Sequence, residues 1–174
     1  LLYDAPAGQM EASLLAARRM GALIQENEEG LYVQMEERPR AMGYVETEPY
    51  PGFPTDMQPQ LTTVLALANG TSIVSEGVWD NRYKYVDELN RMGAKIKVDG
   101  KIAIVEGVPE ITGAPVKAFD LRAGAAMVIA GLAAKGVTEV EQVTNIERGY
   151  ENIVEKLVNL GADMYRAEMP GDDI

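Results

Sequence analysis

Five residues in this chain have the type and placement to do chemistry on a charged ligand: Asp56, Arg82, Asp120, Arg122 and Arg148. Asp56 stands in Pro54-Thr55-Asp56-Met57-Gln58, and Asp120 and Arg122 stand in Asp120-Leu121-Arg122-Ala123. Arg82 lies in Asp80-Asn81-Arg82-Tyr83 and Arg148 in Glu147-Arg148-Gly149-Tyr150. The 174 residues contain no histidine and no cysteine. Disulfides, thiolate metal sites, zinc centres and histidine-assisted nucleophiles are therefore excluded within the chain. Acid–base work falls to Asp, Glu, Lys or Tyr, or to a partner segment, and nothing in the composition calls for a metal or another cofactor. A net charge of −11 argues against a nucleic-acid or anionic-membrane binder, which would rest on basic clusters. An anionic small ligand would need a few arginines in the right places.

Those places are set by helices. Asp56 to Ala68 reads as a helix closed by Asn69-Gly70 and followed by a strand over Thr71 to Ser75. Leu121 to Lys135 reads as a second helix, closed by Gly136 and followed by a strand over Thr138 to Glu141. Within it, Ala123 to Ala134 is apolar all round, so it must be buried on every side. Asp56 and Asp120 open these helices, and an N-cap role suffices for either on spacing alone. Asn81 to Met92 reads as an amphipathic surface helix with Tyr85, Leu89 and Met92 on one face. Arg82, and likewise Arg148, falls just before or at the first turn of such a helix. An arginine there opposes the helix's own partial positive charge. Solvation or an acidic neighbour such as Glu151 accounts for it, and so does a bound anion. Lys95 to Val98 and Lys101 to Val105 flank Asp99-Gly100 and read as a hairpin.

The chain also repeats itself. Met20-Gly21-Ala22, Met92-Gly93-Ala94 and Leu160-Gly161-Ala162 each end an amphipathic helix at a glycine suited to the left-handed C′ position. Gly70 and Gly136 lie 66 residues apart, as do Arg82 and Arg148. The unit implied is a buried helix, a surface helix and about four strands, in the order strand–helix–strand–helix–strand–strand. The first copy has its surface helix, about Gln9 to Met20, and its hairpin, but no buried helix. The expected organisation is an incomplete α/β domain: a partial unit over 1–46, units over 47–115 and 116–168, and a tail over 169–174. Length and an apolar content of 47% suit one globular domain. No apolar stretch suits a membrane span or a signal peptide.

These stretches resemble the UDP-N-acetylglucosamine enolpyruvyl transferases of peptidoglycan synthesis. The likeness rests on Pro51-Gly52-Phe53-Pro54-Thr55-Asp56-Met57-Gln58, Asp80-Asn81-Arg82-Tyr83, Leu89-Asn90-Arg91-Met92-Gly93-Ala94, Asp120-Leu121-Arg122-Ala123-Gly124 and Glu147-Arg148-Gly149-Tyr150. It runs from about Ala12 to Arg166 in matching order. The resemblance implies a cytoplasmic two-domain enzyme of cell-wall synthesis, and so of cell shape and division. Each domain is built from βαβαββ units around buried helices, an inside-out α/β barrel, with the active site between the domains. The chain would be the C-terminal-side part, inactive alone and prone to self-association through an uncovered face.

The implied reaction moves the enolpyruvyl group of phosphoenolpyruvate to the 3-hydroxyl of UDP-N-acetylglucosamine and releases phosphate. Asp56 falls on the general-base position, and Thr55 and Val78 fall beside the nucleotide sugar. Arg148 falls on a phosphoenolpyruvate-binding arginine. Arg82, Asp120 and Arg122 fall on positions that bind or orient the reacting groups. The family's lid-loop acid and catalytic lysine belong to the N-terminal part. The family usually has a histidine before the acid of its Asp-Arg-Gly-Tyr motif, where this chain reads Asn145-Ile146-Glu147-Arg148. Two alternatives stand beside this reading: enolpyruvyl transfer to 3-phosphoshikimate on the same architecture, and a non-catalytic nucleotide-sugar-binding paralogue.

Overall fold

The computed structural model of the chain describes residues 1–168; the tail expected at 169–174 lies outside them. In chain order its elements are β1 (Leu2–Tyr3), α1 (Glu11–Arg19), β2 (Leu23–Asn27), β3 (Gly30–Gln34), β4 (Gly43–Thr47), α2 (Gln58–Ala66), β5 (Thr71–Glu76) and α3 (Val86–Arg91). There follow β6 (Lys95–Asp99), β7 (Ile102–Glu106), β8 (Pro115–Lys117), α4 (Leu121–Ala133), β9 (Glu139–Glu141), α5 (Thr144–Glu147) and α6 (Ile153–Asn159). The middle stretch, β4-α2-β5-α3-β6-β7, is a complete βαβαββ unit whose first strand begins at Gly43 and runs through the 46/47 division drawn from the sequence. Its sheet has the order β4-β5-β7-β6, with β4 and β5 parallel and the other pairs antiparallel.

The flanking stretches show the same plan in part. β1-β3-β2 is an antiparallel sheet that matches β5-β7-β6 strand for strand. β8 and β9 pair in parallel around α4, as β4 and β5 do around α2. The three glycine stops are one motif repeated. Gly21, Gly93 and Gly161 take φ of +107°, +100° and +98°. Behind them the N–H groups of Ala22, Ala94 and Ala162 reach back to the carbonyls of Ala17, Leu89 and Leu157, each at 3.0 Å. These are the six-to-one bonds of a Schellman cap, which satisfy carbonyls that a helix end leaves open.

The main core lies between α2, α4 and the inner face of the middle sheet, where Leu65, Val74, Leu89, Met92, Val105 and Met127 are fully or almost fully buried. Each side chain of this kind contributes about 1.5–3 kcal/mol. Residues 123 to 128 of α4 are all buried, as an apolar helix demands. Its far end is not: the helix stops at Ala133 and Leu132 is 44% exposed. The expected helix over Asn81 to Met92 is realised as a 3-10 turn, Arg82–Tyr85, leading into the short α3. Tyr85, Leu89 and Met92 do share its buried face. Asp99 pairs with Ile102, so Gly100 and Lys101, one position later than the sequence suggested, form the hairpin turn.

Candidate functional site

The chain does not enter α2 through an aspartate cap. A 3-10 turn over Thr55–Met57 comes first, and neither it nor α2 has a side-chain cap. Asp56, in that turn, is therefore free to reach outward. Its Oδ1 accepts a hydrogen bond from Arg122 Nε at 2.5 Å and lies 3.7 Å from a terminal nitrogen of Arg82. The N-cap reading fails for Asp56 and holds for Asp120, whose Oδ1 accepts from the backbone N–H groups of Arg122 at 2.8 Å and Ala123 at 2.9 Å. That cap fixes the first turn of α4, and with it the stem of Arg122.

One carboxylate thus sits between two guanidinium groups from different parts of the chain. The bond from Arg122, with the charges of Arg122 and Arg82, holds the Asp56 carboxyl below the ordinary 3.8 against a partial burial that works the other way. The same contact raises the Arg122 guanidinium, helped by the nearby Asp120 charge. The Arg82 side chain is mostly buried, whereas Asp56 is 59% exposed. The cluster therefore presents its carboxylate to solvent from a fixed cationic floor.

Thr55 and Val78 do not touch this cluster directly; Glu76, at the end of β5, holds both. Its Oε1 accepts from Thr55 Oγ1 at 2.9 Å, Thr47 Oγ1 at 2.8 Å, Val78 N at 3.1 Å and Trp79 N at 3.0 Å. Trp79 then places its ring under Arg82, with 5.9 Å between the guanidinium carbon and the ring centroid, a distance that permits cation–π attraction. Neither Glu76 nor Trp79 was singled out from sequence. The legible signal for Glu76 was strand alternation: Ser72 and Val74 face inward, so a carboxylate two residues further on must be buried as well. Trp79 left no such trace.

Arg148 stands apart from the expected placement. It is the C-cap of α5, not the start of α6, which opens five residues later at Ile153. Its side chain is exposed and makes no ion pair among the described residues; Glu151 pairs with Lys156 instead. The segment is nonetheless anchored beside the cluster. A Cβ on Gly149 would stand 2.8 Å from both methyls of Leu121, and Tyr150 Oη accepts from Gln60 Nε2 of α2 at 2.9 Å. Asn145, where the resemblance leads one to expect histidine, donates to the Ala118 carbonyl at 2.8 Å and ties α5 to the strand before α4.

Among the described residues no group of Asp and Glu side chains is arranged to hold a metal ion, and no helix is long and apolar enough to cross a membrane. A shallow groove does occur elsewhere, lined in part by Met20, Gln34, Glu36, Arg38 and Arg40. Its Arg38 is committed to the Leu67 and Ala68 carbonyls at the end of α2.

The family model described as EPSP synthase (3-phosphoshikimate 1-carboxyvinyltransferase) matches residues 5–157. A UDP-N-acetylglucosamine 1-carboxyvinyltransferase of Anaeromyxobacter sp. (strain K) is 53% identical over 160 residues, 92% of this chain and 38% of that protein. The protein of the same name from Clostridium botulinum (strain ATCC 19397 / Type A) is 59% identical over 122 residues, 70% of this chain and 29% of its own. Among solved structures, the enolpyruvyl transferase NikO from Streptomyces tendae matches with a TM-score of 0.79 at 30% identity, over 88% of this chain and 36% of that one. EPSP synthase from Acinetobacter baumannii shares the fold at a TM-score of 0.64 and 18% identity, over 91% of this chain and 37% of that one. The chain spans well under half the length of each of these proteins.

Proposed function

The chain belongs to the EPSP synthase (3-phosphoshikimate 1-carboxyvinyltransferase) family, and from that premise we propose that it forms one wall of a site for enolpyruvyl transfer from phosphoenolpyruvate to the 3-hydroxyl of UDP-N-acetylglucosamine. The observation that carries this reading is the Asp56 carboxylate held between Arg122 and Arg82. The nucleotide sugar is preferred as acceptor because the relatives at about half identity bear that name. The work is cytoplasmic and serves cell-wall synthesis.

In this reading the acceptor hydroxyl oxygen bonds to the central carbon of the enolpyruvate, the C=C electron pair takes up a proton at the methylene carbon to make a methyl group, and the hydroxyl proton passes to Asp56. A tetrahedral intermediate forms that carries a carboxylate and a phosphate. Arg82, Arg122 and the exposed Arg148 face that negative charge, and Thr55 and Val78 line the nucleotide-sugar side. Loss of phosphate and of a methyl proton then restores the double bond. Proton exchange at that methyl carbon falls to residues outside this chain. A carboxylate with a lowered pKa is a weak base, and the ion pair with Arg122 is what lowers it. An anionic substrate that draws Arg122 and Arg82 onto itself removes that restraint, so Asp56 gains basicity as the substrate binds.

The test is phosphate release by the full-length protein with phosphoenolpyruvate, offering UDP-N-acetylglucosamine and shikimate 3-phosphate in parallel, beside Asp56→Ala. Release with the nucleotide sugar alone, reduced about 100-fold or more in the variant, is expected. Release with shikimate 3-phosphate instead transfers the chemistry to the sister acceptor. Release with neither makes the chain a non-catalytic binder and removes every role given to Asp56.

A further inference from the structure

A buried carboxylate with many donors on one oxygen needs an explanation, because burying a charge is costly unless it is well paired. Glu76 is 1% exposed. Its Oε1 takes all four bonds described above, while Oε2 is buried with no partner among the described residues. Thr47, one of the four donors, also accepts from Gly77 N at 2.9 Å. A single oxygen therefore gathers the end of β4, the turn that carries Asp56, and the backbone of residues 77–79.

The repeat offers an internal control. In the third unit the places of Thr55 and Glu76, sixty-six residues on, are taken by Leu121 and Gln142, and the strand pairing puts Ala118 in the place of Thr47. The third unit still pairs β8 with β9 and still buries α4. The fold thus builds this corner without a carboxylate, and the Glu76 network belongs to the unit that also carries Asp56, Val78 and Arg82.

We propose that Glu76 is a positioning residue: it sets the turn bearing Asp56 against the loop bearing Val78 and the Trp79–Arg82 stack, so that base and arginine meet at the observed spacing. It touches no substrate in this scheme. This deepens the reading given under Proposed function and rests on it. The network has two arms. Through Thr55 it governs Asp56, and so the chemical step; through the amides of Val78 and Trp79 and through Thr47 it governs the loop on the nucleotide-sugar side.

The test uses full-length protein with Glu76→Gln, Thr47→Val and the double variant. Glutamine keeps the shape and an acceptor oxygen but halves the strength of charge-assisted bonds. Glu76→Gln is expected to lower kcat about tenfold and to raise the KM for the nucleotide sugar about fivefold, with the KM for phosphoenolpyruvate unchanged. Thr47→Val is expected to raise the nucleotide-sugar KM alone, and the double variant to be no worse than Glu76→Gln, since both act on one network. Amide hydrogen exchange in the 77–82 segment gives a readout independent of turnover: Val78 and Trp79 exchange about tenfold faster in Glu76→Gln, while α2 is unaffected. Unchanged kcat and KM in a folded Glu76→Gln overturn the proposal, as does a lowered melting temperature with no kinetic change. If the wild-type protein turns over neither acceptor, the functional reading fails by itself. Exchange then decides the structural part: faster exchange upholds Glu76 as the holder of the loop, and unchanged exchange refutes it.

Discussion

Gly124→Ala is the substitution whose outcome the packing determines most sharply. Gly124 lies in the first turn of α4, two residues past Arg122. A methyl group there would stand 2.4 Å from Ile146 Cγ1, 2.9 Å from its Cδ1 and 3.0 Å from Ala118 Cβ. Ordinary contact begins near 3.4 Å, so Ile146 must retreat by about 1 Å. It cannot swing into solvent, being 2% exposed. Overpacking of this kind costs about 1–3 kcal/mol, against a helix-propensity gain of about 1 kcal/mol for alanine over glycine. The net loss is about 0–2 kcal/mol, or roughly 0–8 °C in melting temperature for a domain of this size.

The functional effect is larger, because Ile146 sits in α5, which ends at Arg148, while the new methyl sits on the helix that carries Arg122. Forcing these helices apart changes the spacing of two arginines assigned to the same ligand. A displacement of about 1 Å lowers kcat/KM for phosphoenolpyruvate about 100-fold. Thermal unfolding and phosphate release measure the two effects. Gly131→Ala is the control, since its nearest neighbours are Thr138 atoms at 3.2 to 3.5 Å; it should be close to neutral in both assays. Gly124→Ala with Ile146→Ala should be more stable than the sum of the single effects by about 1 kcal/mol or more. A Gly124→Ala protein as stable and as active as wild type would refute the claim that α4 and α5 meet without slack.

Other consequences follow from the hydrogen bonds and titrations. Asp120→Ala removes the cap of α4 and should lower stability by about 0.5–2 kcal/mol, with Asp120→Asn restoring most of it in denaturant unfolding. Burial pushes the Tyr83 hydroxyl up to about 12, so its stabilisation is complete below the ordinary value of 10.0 and is lost as pH rises through about 12. Spectrophotometric titration should show this buried tyrosine ionising after the exposed ones, and Tyr83→Phe, which loses the bond to the Val74 carbonyl, should cost about 1 kcal/mol at neutral pH. The lowered carboxyl of Asp56 works with the opposite sign. Its contribution is present above 3.8 and disappears as pH falls through the lower folded value. Melting curves taken downward from about pH 5 should therefore bring wild type toward Asp56→Asn, and parallel curves would contradict the ion pair.

The periodic features of the chain were legible because they are local. A buried helix announces itself by apolar residues on every face, and a helix stop by a glycine that can take positive φ. The first holds over residues 123–128 and fails at the exposed end of α4; the second holds down to the three matching Schellman caps. What eluded the sequence was long-range or depended on how the chain enters an element. Asp56 has the spacing of an N-cap, yet a 3-10 turn displaces it from that role and turns its carboxylate toward a residue 66 positions away. Arg148 was expected at a helix start, but α5 is a separate short helix that ends there. Glu76 was visible only as an acidic residue at an inward-facing strand position. What it binds comes from three separate places in the chain, and no pattern in one window records that.

The distance between Asp56 and Arg122 is itself informative. Sixty-six residues is also the separation of Gly70 from Gly136 and of Arg82 from Arg148, so Asp56 and Arg122 occupy equivalent positions at the starts of two packed, repeat-related helices. The cluster is a contact between two copies of one place in the fold, where one copy bears a carboxylate and the other a guanidinium. With Arg82 and Arg148 as a second equivalent pair, four of the assigned residues reduce to two positions used twice. The first unit does not join in: the place that matches Arg82 at the 72-residue offset of Gly21 and Gly93 is Met10. Repetition supplies the scaffold on which α2 and α4 bring their first turns together, and the chemistry comes from where the copies differ. Opposite charges at Asp56 and Arg122 make a base restrained until an anion competes for its partner. The same charge at both positions would leave either a repelling pair or an anion site without a base. The asymmetry between equivalent positions, more than any single residue, is what makes this surface suited to transferring a group that is both anionic and in need of proton removal.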